Sequence, residues 1–236
     1  VQDLGVLRLI RRMSPDVPVH ASTQMTIHTP EGAHWAKQHG ISRVVVSREL
    51  SREEIAAVCQ TGVEVETFVH GALCMSVSGQ CGLSAVIGSR SANRGRCAQA
   101  CRLPFSAKGA KNVCTLSLKD LCLVPYLAEL AQDGVASLKI EGRCKRPEYV
   151  AAAVTALVQA RAGEEPDLDT LRAVFSRSGF TDGYYTGKRQ QMFGTRQKED
   201  VLQAKEVLPH LAQLYQKPTP QIALTMDVRV QTGEPA

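Results

Sequence analysis

The chain has 236 residues, of which 44% are hydrophobic and 22% charged, and its formal net charge is +5. This composition predicts a globular protein with a sizeable core and argues against a disordered or low-complexity chain. The longest apolar runs are shorter than a membrane span and no export signal opens the sequence, so we expect a cytoplasmic protein. The chain begins at Val1 inside a strand-to-helix junction and stops just after a strand pattern, which predicts an internal fragment.

Strand and helix patterns alternate along the first two thirds of the chain. β-branched runs predict the strands, and proline, serine or glutamate in a first turn predicts where helices begin. In chain order these are a strand at 17–22, a helix at 30–39, a strand at 43–47, a helix beginning at Ser51, a strand at 63–69, a helix at 118–132, a strand at 135–141 and a helix at 147–162. The alternation is typical of parallel βα units.

The last third has a different character. We predict a linker at 163–166, a helix at 168–177, a polar aromatic stretch at 180–188 and a second helix at 199–208. A proline-rich hinge at 217–220 and a strand at 222–230 follow. We therefore predict three parts: an α/β unit at 1–162, a linker with a helical and irregular extension at 163–216, and a hinge that starts a further β domain at 217–236. The α/β unit fits either a small doubly wound sheet or the second half of an eightfold barrel.

Functional side chains of parallel α/β folds lie at the carboxyl ends of the strands and on the loops that follow. This rule selects His20, Gln24, Ser47, Arg48, His70, Glu141 and Arg143. Each also has a structural interpretation: a strand-end histidine is more often structural than catalytic, and Glu141 and Arg143 could simply pair with each other. Because several of them fall on one edge, we predict Gln24, His70, Glu141 and Arg143 as catalytic residues.

Four cysteines are clustered with the spacing Cys-x6-Cys-x15-Cys-x3-Cys, at Cys74, Cys81, Cys97 and Cys101. In a reducing compartment, such a cluster indicates metal or redox chemistry rather than disulfides. Structural zinc usually shows tight Cys-x2-Cys pairs, which are absent, whereas wider gaps suit a cuboidal iron–sulfur cluster. The alternative of small buried hydrophobic residues is plausible for Cys59, Cys122 and Cys144.

Residues 67–119 contain seven basic residues and no Asp or Glu. One interpretation is a solvated basic loop, and the other is a site for nucleic-acid phosphates or for a negatively charged metal–thiolate cluster. In the second interpretation, Arg94, Arg96 and Arg102 are the predicted nucleic-acid contacts, and Arg96 and Arg102 also offset the charge of a cluster held by the neighbouring cysteines.

Several catalytic signatures do not occur in the sequence. It contains no His-Glu-x-x-His, no Gly-x-Ser-x-Gly, no Walker A loop and no Gly-x-Gly-x-x-Gly. A standard metalloprotease, a serine hydrolase, a P-loop enzyme and a Rossmann dehydrogenase therefore have no support.

Three blocks of the sequence resemble the collagenase-like peptidase family U-32. The blocks are 66–84, which runs from Glu-Thr-Phe-Val-His-Gly through the first two clustered cysteines, 93–102, which holds the other two, and 137–143, Ser-Leu-Lys-Ile-Glu-Gly-Arg. Together with 117–122, the resemblance extends over roughly residues 1–200. The chain looks most similar to the branch that makes hydroxycytidine in large-subunit ribosomal RNA.

The resemblance implies both a fold and a cofactor. The fold is the C-terminal half of a TIM-like (β/α) barrel with a cysteine-rich insertion at 70–116, followed by a small mixed segment. Exposed edges of such a half-barrel would favour self-association of the chain. The cofactor is a 4Fe-4S cluster held by Cys74, Cys81, Cys97 and a fourth cysteine, which is Cys101 or, as the alternative, Cys114.

Two function classes follow from the resemblance. The first is an RNA-modifying hydroxylase acting on ribosomal RNA or its precursor, with prephenate as oxygen donor and an arginine such as Arg48 or Arg143 for its carboxylates. The second is a peptidase, as the family name states. The absence of a recognisable nucleophile–base or zinc motif argues against it and leaves a Cys–His pair such as Cys74 with His70 as its open alternative. A purely structural cluster in an RNA-binding scaffold is a third interpretation.

Overall fold

A computed structural model describes residues 1–77, 80–107 and 109–216 of the chain. The strands are β1 (His20–Ala21), β2 (Arg43–Val45), β3 (Glu64–Ala72), β4 (Phe105–Ala107), β5 (Ala110–Val113), β6 (Asp120–Cys122), β7 (Ser137–Glu141) and β8 (Phe180–Thr181). The helices are α1 (Leu4–Met13), α2 (Pro30–Gln38), α3 (Arg52–Cys59), α4 (Leu83–Gly88), α5 (Leu127–Gln132), α6 (Pro147–Ala162), α7 (Leu168–Val174) and α8 (Lys198–Gln213). The predicted hinge and strand at 217–236, and Lys108 of the basic segment, lie outside the described residues.

The main sheet is a mixed one built around β3. Strands β1, β2 and β3 are consecutive parallel neighbours, and β7 pairs in parallel with β3, so the predicted parallel βα units are confirmed. Strand β6 runs antiparallel to the end of β3, and β8 is parallel to β6. Over the described residues this sheet is open, so the predicted half of a TIM-like barrel is not confirmed.

The helix predicted at 118–132 is wrong over its first half. That segment forms β6, then a 3-10 turn at Val124–Tyr126, and only then α5. Two features override the helical pattern: Pro125 has no N–H to donate, and the carboxylate of Asp120 is fully buried against Arg177, with Nη1–Oδ distances of 2.7 and 2.8 Å.

Helix ends agree with the sequence where capping residues define them. Thr29 caps α2, Ser51 and Glu54 form the capping box of α3, and Gly163 ends α6 with a φ of +78°. The helix predicted at 168–177 stops at Val174, because Phe175 is extended, and the one predicted at 199–208 is longer, at Lys198–Gln213.

The core lies between the sheet and its helices. Valines of the central strands, such as Val44, Val65 and Val69, are completely buried. Leu171 of α7 and Leu211 of α8 belong to the same hydrophobic cluster, so the segment after the predicted linker packs on the sheet domain. No helix in the described ranges combines the length and apolar character that crossing a bilayer requires.

Candidate functional site

Two adjoining cavities lie at the carboxyl edge of the parallel strands. We call the smaller one, of about 330 Å³, the thiol cavity, and the larger one, of about 750 Å³, the basic cavity. Loops that follow β1, β2, β3 and β7 reach this edge, as the topology rule predicts. The two cavities share a wall composed of Arg48, Cys74, Cys97, Cys101 and Glu141.

All four clustered cysteines line the thiol cavity. Cys74 follows β3, Cys81 precedes α4, Cys97 follows a turn at Ala92–Arg96, and Cys101 lies in a 3-10 turn at Ala100–Arg102. Cys114 lines neither cavity. In the described part of the chain, no three His, Cys, Asp or Glu side chains converge closely enough to hold a single metal ion. The thiols therefore border a volume rather than meet at one point.

Backbone N–H groups point at two of the sulfur atoms. Leu83 N–H donates to Cys81 Sγ at 3.3 Å, and Gln99 N–H donates to Cys97 Sγ at 3.3 Å. Donors in this position stabilise negative charge on sulfur and are a recognised means of tuning iron–sulfur centres. Burial raises the pKa of the Cys101 thiol, and the neighbouring Arg102 opposes that effect.

The shared wall contains an ion pair between Arg48 and Glu141, with an Nη2–Oε2 distance of 3.1 Å. The guanidinium of Arg48 also stacks on Phe68, 3.7 Å from the ring centroid, and burial lowers its pKa. Glu141 accepts a second hydrogen bond from the backbone N–H of Arg143, whose side chain donates to Gly95 O at 2.8 Å. Glu141 is thus paired with Arg48 rather than with the side chain of Arg143.

His70 does not reach either cavity. The β3–β7 register shifts between Phe68 and His70, so Phe68 pairs with Lys139, which lines the thiol cavity, whereas His70 pairs with Ile140 on the opposite face. The ring is 1% exposed, stacks on Tyr149, and has a pKa lowered to about 4 because burial disfavours its charged form. This position gives no support to the predicted catalytic role.

Gln24 lies on the wall of the thiol cavity, as predicted for a strand-end residue. Its side-chain amide is 3.4 Å from Asn93 Oδ1, and its carbonyl accepts a hydrogen bond from Gln80 at 3.3 Å. Gln80 also donates to Thr26 Oγ1 at 3.0 Å. These contacts join the loop after β1 to both sides of the cysteine-rich segment.

The three predicted RNA-binding arginines have different environments. Arg94 and Arg96 are exposed. Arg102 is half-buried and donates to Ser117 Oγ at 3.2 Å, Leu118 O at 2.6 Å and Leu73 O at 2.5 Å, and burial lowers its pKa. Because its N–H groups bond to the protein itself, Arg102 braces the loop after β3, and its predicted RNA contact has no support from this geometry.

Sequence reasoning missed most of the basic cavity. Lys145, Arg177 and Arg196 line it together with the ring of Phe175. Lys145 comes two residues after Arg143, the last predicted edge residue after β7, so the strand-end rule could have been extended to it. Arg177 and Arg196 come from the extension after residue 163, which only the tertiary fold brings to the sheet edge.

The fold and site together describe an α/β protein with an open sheet and four cysteines gathered at the carboxyl edge of its parallel strands. The family model "Peptidase family U32" matches residues 1–194, and the chain belongs to that family. No solved structure gives a significant match.

Curated relatives of the chain have more than one named activity. It is 43% identical to the 23S rRNA 5-hydroxycytidine C2501 synthase of Escherichia coli over 64% of this chain and 24% of the relative. It is 34% identical to the tRNA hydroxylation protein P1 of Bacillus subtilis over 84% of this chain and 53% of the relative. It is 36% identical to a collagenase of Porphyromonas gingivalis over 73% of this chain and 49% of the relative. The chain thus spans about half or less of the length of these relatives.

Proposed function

We propose that this chain is the cofactor-bearing part of an RNA base hydroxylase that holds a 4Fe-4S cluster through Cys74, Cys81, Cys97 and Cys101. The observation that carries the proposal is the placement of these four thiols around one cavity, at the sheet edge where Glu141 and Gln24 also lie. Relatives named as ribosomal and transfer RNA hydroxylation proteins support the reaction class.

The donor set fits a cluster better than a single ion. Four thiols border a common volume without converging on one point, as the separate corners of a cuboidal cluster require. Backbone N–H donors already face Cys81 and Cys97, and Cys101 is a better fourth ligand than Cys114, which lies off the cavity. When bound, such a cluster supplies one-electron redox chemistry.

The chain's own residues would bind and orient the RNA. Arg94 and Arg96, exposed beside Cys97, are suited to backbone phosphates. A base extruded from its strand would meet the carboxylate of Glu141, fixed by Arg48 and by the backbone N–H of Arg143. This carboxylate can accept a proton from the bound base, and the amide of Gln24 can donate to or accept from the base edge.

The finer proposal is hydroxycytidine formation in large-subunit ribosomal RNA, with prephenate as the oxygen donor. The relative with the highest of the three quoted identities carries that nucleoside in its name. For the donor, Arg48 and Arg143 both lie on cavity walls, where they can face carboxylates.

Nucleoside mass spectrometry of a strain lacking the encoding gene tests both levels of this proposal. We expect hydroxycytidine to vanish from large-subunit ribosomal RNA and to return when the gene is restored. If a hydroxylated transfer RNA nucleoside is lost instead, RNA hydroxylation stands and the ribosomal substrate is wrong. If all hydroxylated nucleosides remain in both RNA classes, the hydroxylase proposal fails.

A peptidase is the second candidate, and the relative named collagenase favours it. Its nucleophile–base pair is not formed, because Cys74 lines both cavities whereas His70 is buried away from them. We expect no cleavage of gelatin or denatured collagen by the purified protein. Cleavage that a Cys74→Ser variant abolishes would establish the peptidase instead.

A further inference from the structure

The basic cavity contains far more positive than negative charge. One carboxylate, Glu141, and eight cationic side chains line its walls: Arg48, Arg102, Arg143, Lys145, Arg146, Arg177, Arg196 and Lys205. Its volume of about 750 Å³ lies within the range of small-molecule sites. The walls also include aromatic and aliphatic side chains, among them Tyr149, Phe175 and Leu208.

Four of the cations already have partners within the protein. Arg177 makes two hydrogen bonds to Asp120, and Arg48 is paired with Glu141. Arg102 and Arg143 donate to backbone carbonyl groups. These contacts fix all four side chains, and the carboxylates also compensate the charges of Arg177 and Arg48.

Of the other four, Arg146 and Lys205 are exposed to solvent, whereas Lys145 and Arg196 are half-buried. Among the residues that the structure describes, no carboxylate lies within ion-pair distance of either one. Both lie against Phe175, with Lys145 Nζ 2.9 Å and Arg196 Cζ 4.4 Å from the ring centroid, and Arg177 Cζ is 4.9 Å away. The buried Nε of Arg196 has no hydrogen-bond partner. Three cations therefore surround one ring. Two of them have no ion-pair partner in the described chain, and the carboxylates of Asp120 and Asp200 act on them only from a greater distance.

An anionic ligand would stabilise the charged form of Lys145. Burial and the positive charges of Arg177, Arg196 and Arg102 lower the pKa of Lys145 to about 7, with Asp120 opposing them. An oxyanion placed between Lys145 and Arg196 would compensate both charges and satisfy the Nε donor, through charge-assisted hydrogen bonds.

We propose that Lys145 and Arg196, on the Phe175 side of the basic cavity, bind an oxyanion group, either a phosphate or a carboxylate. The role of this anion in catalysis rests on the proposed function, since Cys74, Cys97 and Cys101 border the same cavity. An anion held here adjoins the thiols. The group has two sources, a free small anion or a phosphate of the RNA strand, and the two are distinguished by experiment.

The first experiment is a calorimetric titration of the purified full chain with sulfate at constant ionic strength. We expect saturable binding that weakens about tenfold in Lys145→Met, because one charge-assisted contact is lost. Arg196→Gln should have a similar effect. The matched control is Arg161→Met, an exposed position on α6 outside both cavities, which should bind like the parent chain. Absent sulfate binding, or equal binding by parent and both cavity variants, would overturn the proposal.

A second arm measures binding of a short single-stranded RNA by the same variants. If Lys145→Met and Arg196→Gln weaken RNA binding as they weaken sulfate binding, the group is a strand phosphate. If RNA binding is unchanged while sulfate binding is lost, the group is a free small anion. Neither titration requires hydroxylation, so a failure of the proposed function and a failure of this site give different results.

Discussion

The thiol cavity and the basic cavity share a wall but balance their charges differently. The two basic side chains on the thiol cavity, Arg48 and Lys139, are each paired with a carboxylate, Glu141 and Glu66, with Lys139 Nζ 2.6 Å from Glu66. In the basic cavity, Lys145 and Arg196 have no such partner in the described chain. The basic side chains of the thiol cavity therefore have ion-pair partners, whereas the basic cavity contains two half-buried cations without one.

Removal of one thiol should have the largest effect. We expect anaerobic reconstitution of the parent chain to give a brown protein containing iron and sulfide. Cys97→Ser should abolish this iron binding, because Cys97 lies on the shared wall and receives an N–H donor. Iron content and visible absorption measure the outcome.

Cys114→Ser is the matched control and should retain iron, since Cys114 lines neither cavity. If Cys114→Ser loses iron as Cys97→Ser does, the fourth ligand has been assigned wrongly. Stoichiometric zinc without iron in the parent chain would contradict the cluster altogether.

The shared wall also depends on a close approach between β3 and β7. Gly71 has a φ of +124°, and a Cβ atom there would lie 2.5 Å from Glu141 O. Gly71→Ala should lower the free energy of unfolding by about 3 kcal/mol, since both strain and overlap are introduced. Denaturant unfolding checks this.

Gly163→Ala is the control for backbone strain alone. Gly163 also has a positive φ, of +78°, but its Cβ would contact nothing within 4 Å. We expect a loss of about 1 kcal/mol. Equal losses in the two variants would show that the approach to Glu141 does not constrain Gly71.

Local signals in the sequence predict much of the fold. Pro147 and Gly163 define α6 to the residue, and Val44, Val45 and Val46 predict a strand buried on both faces. Non-local contacts explain the failures. Asp120 is drawn into a strand by an ion pair with Arg177, 57 residues away, which a helical pattern around it does not reveal.

The candidate site likewise contains residues that the local sequence predicts and residues whose position depends on non-local contacts. The four cysteines and Glu141 are predicted from spacing and from the strand-end rule. His70 lies away from both cavities because a one-residue bulge moves it to the other face of β3, and the neighbouring Gly71 is a local sign of that irregularity. Arg196 could not have been predicted, because only the packing of the helical extension brings it to the cavity.

The charge state of Lys145 should make anion binding depend on pH. With its pKa lowered to about 7, Lys145 loses its proton as the pH rises from 6 to 8, while sulfate keeps its charge. Sulfate affinity should fall about tenfold across this range. The charged groups that also act on Lys145 are Asp120, Arg102, Arg177 and Arg196. His70 stays neutral across this range because its pKa is lowered to about 4.

Lys145→Arg is the control, because its guanidinium stays charged and its sulfate affinity should be nearly constant with pH. The same shift has a consequence for stability. The folded chain binds fewer protons at Lys145 than the unfolded chain between pH 7 and about 10.5, so this group makes the free energy of unfolding rise with pH in that window. A pH dependence that persists in Lys145→Arg would assign the effect to another group.

The smallest effect is predicted for Arg94, an exposed arginine that does not line the basic cavity. If Arg94 contacts one RNA phosphate, Arg94→Ala should reduce the salt slope of single-stranded RNA binding by about 0.7 and the affinity about fourfold near physiological salt. Its iron content and melting temperature should be unchanged, because Arg94 is exposed. Arg102→Ala should behave in the opposite way and lose about 2 kcal/mol of stability, since three protein acceptors lose their donor. A salt slope that stays the same in Arg94→Ala but falls in Lys145→Met would place the RNA strand in the basic cavity and not on the exposed arginines.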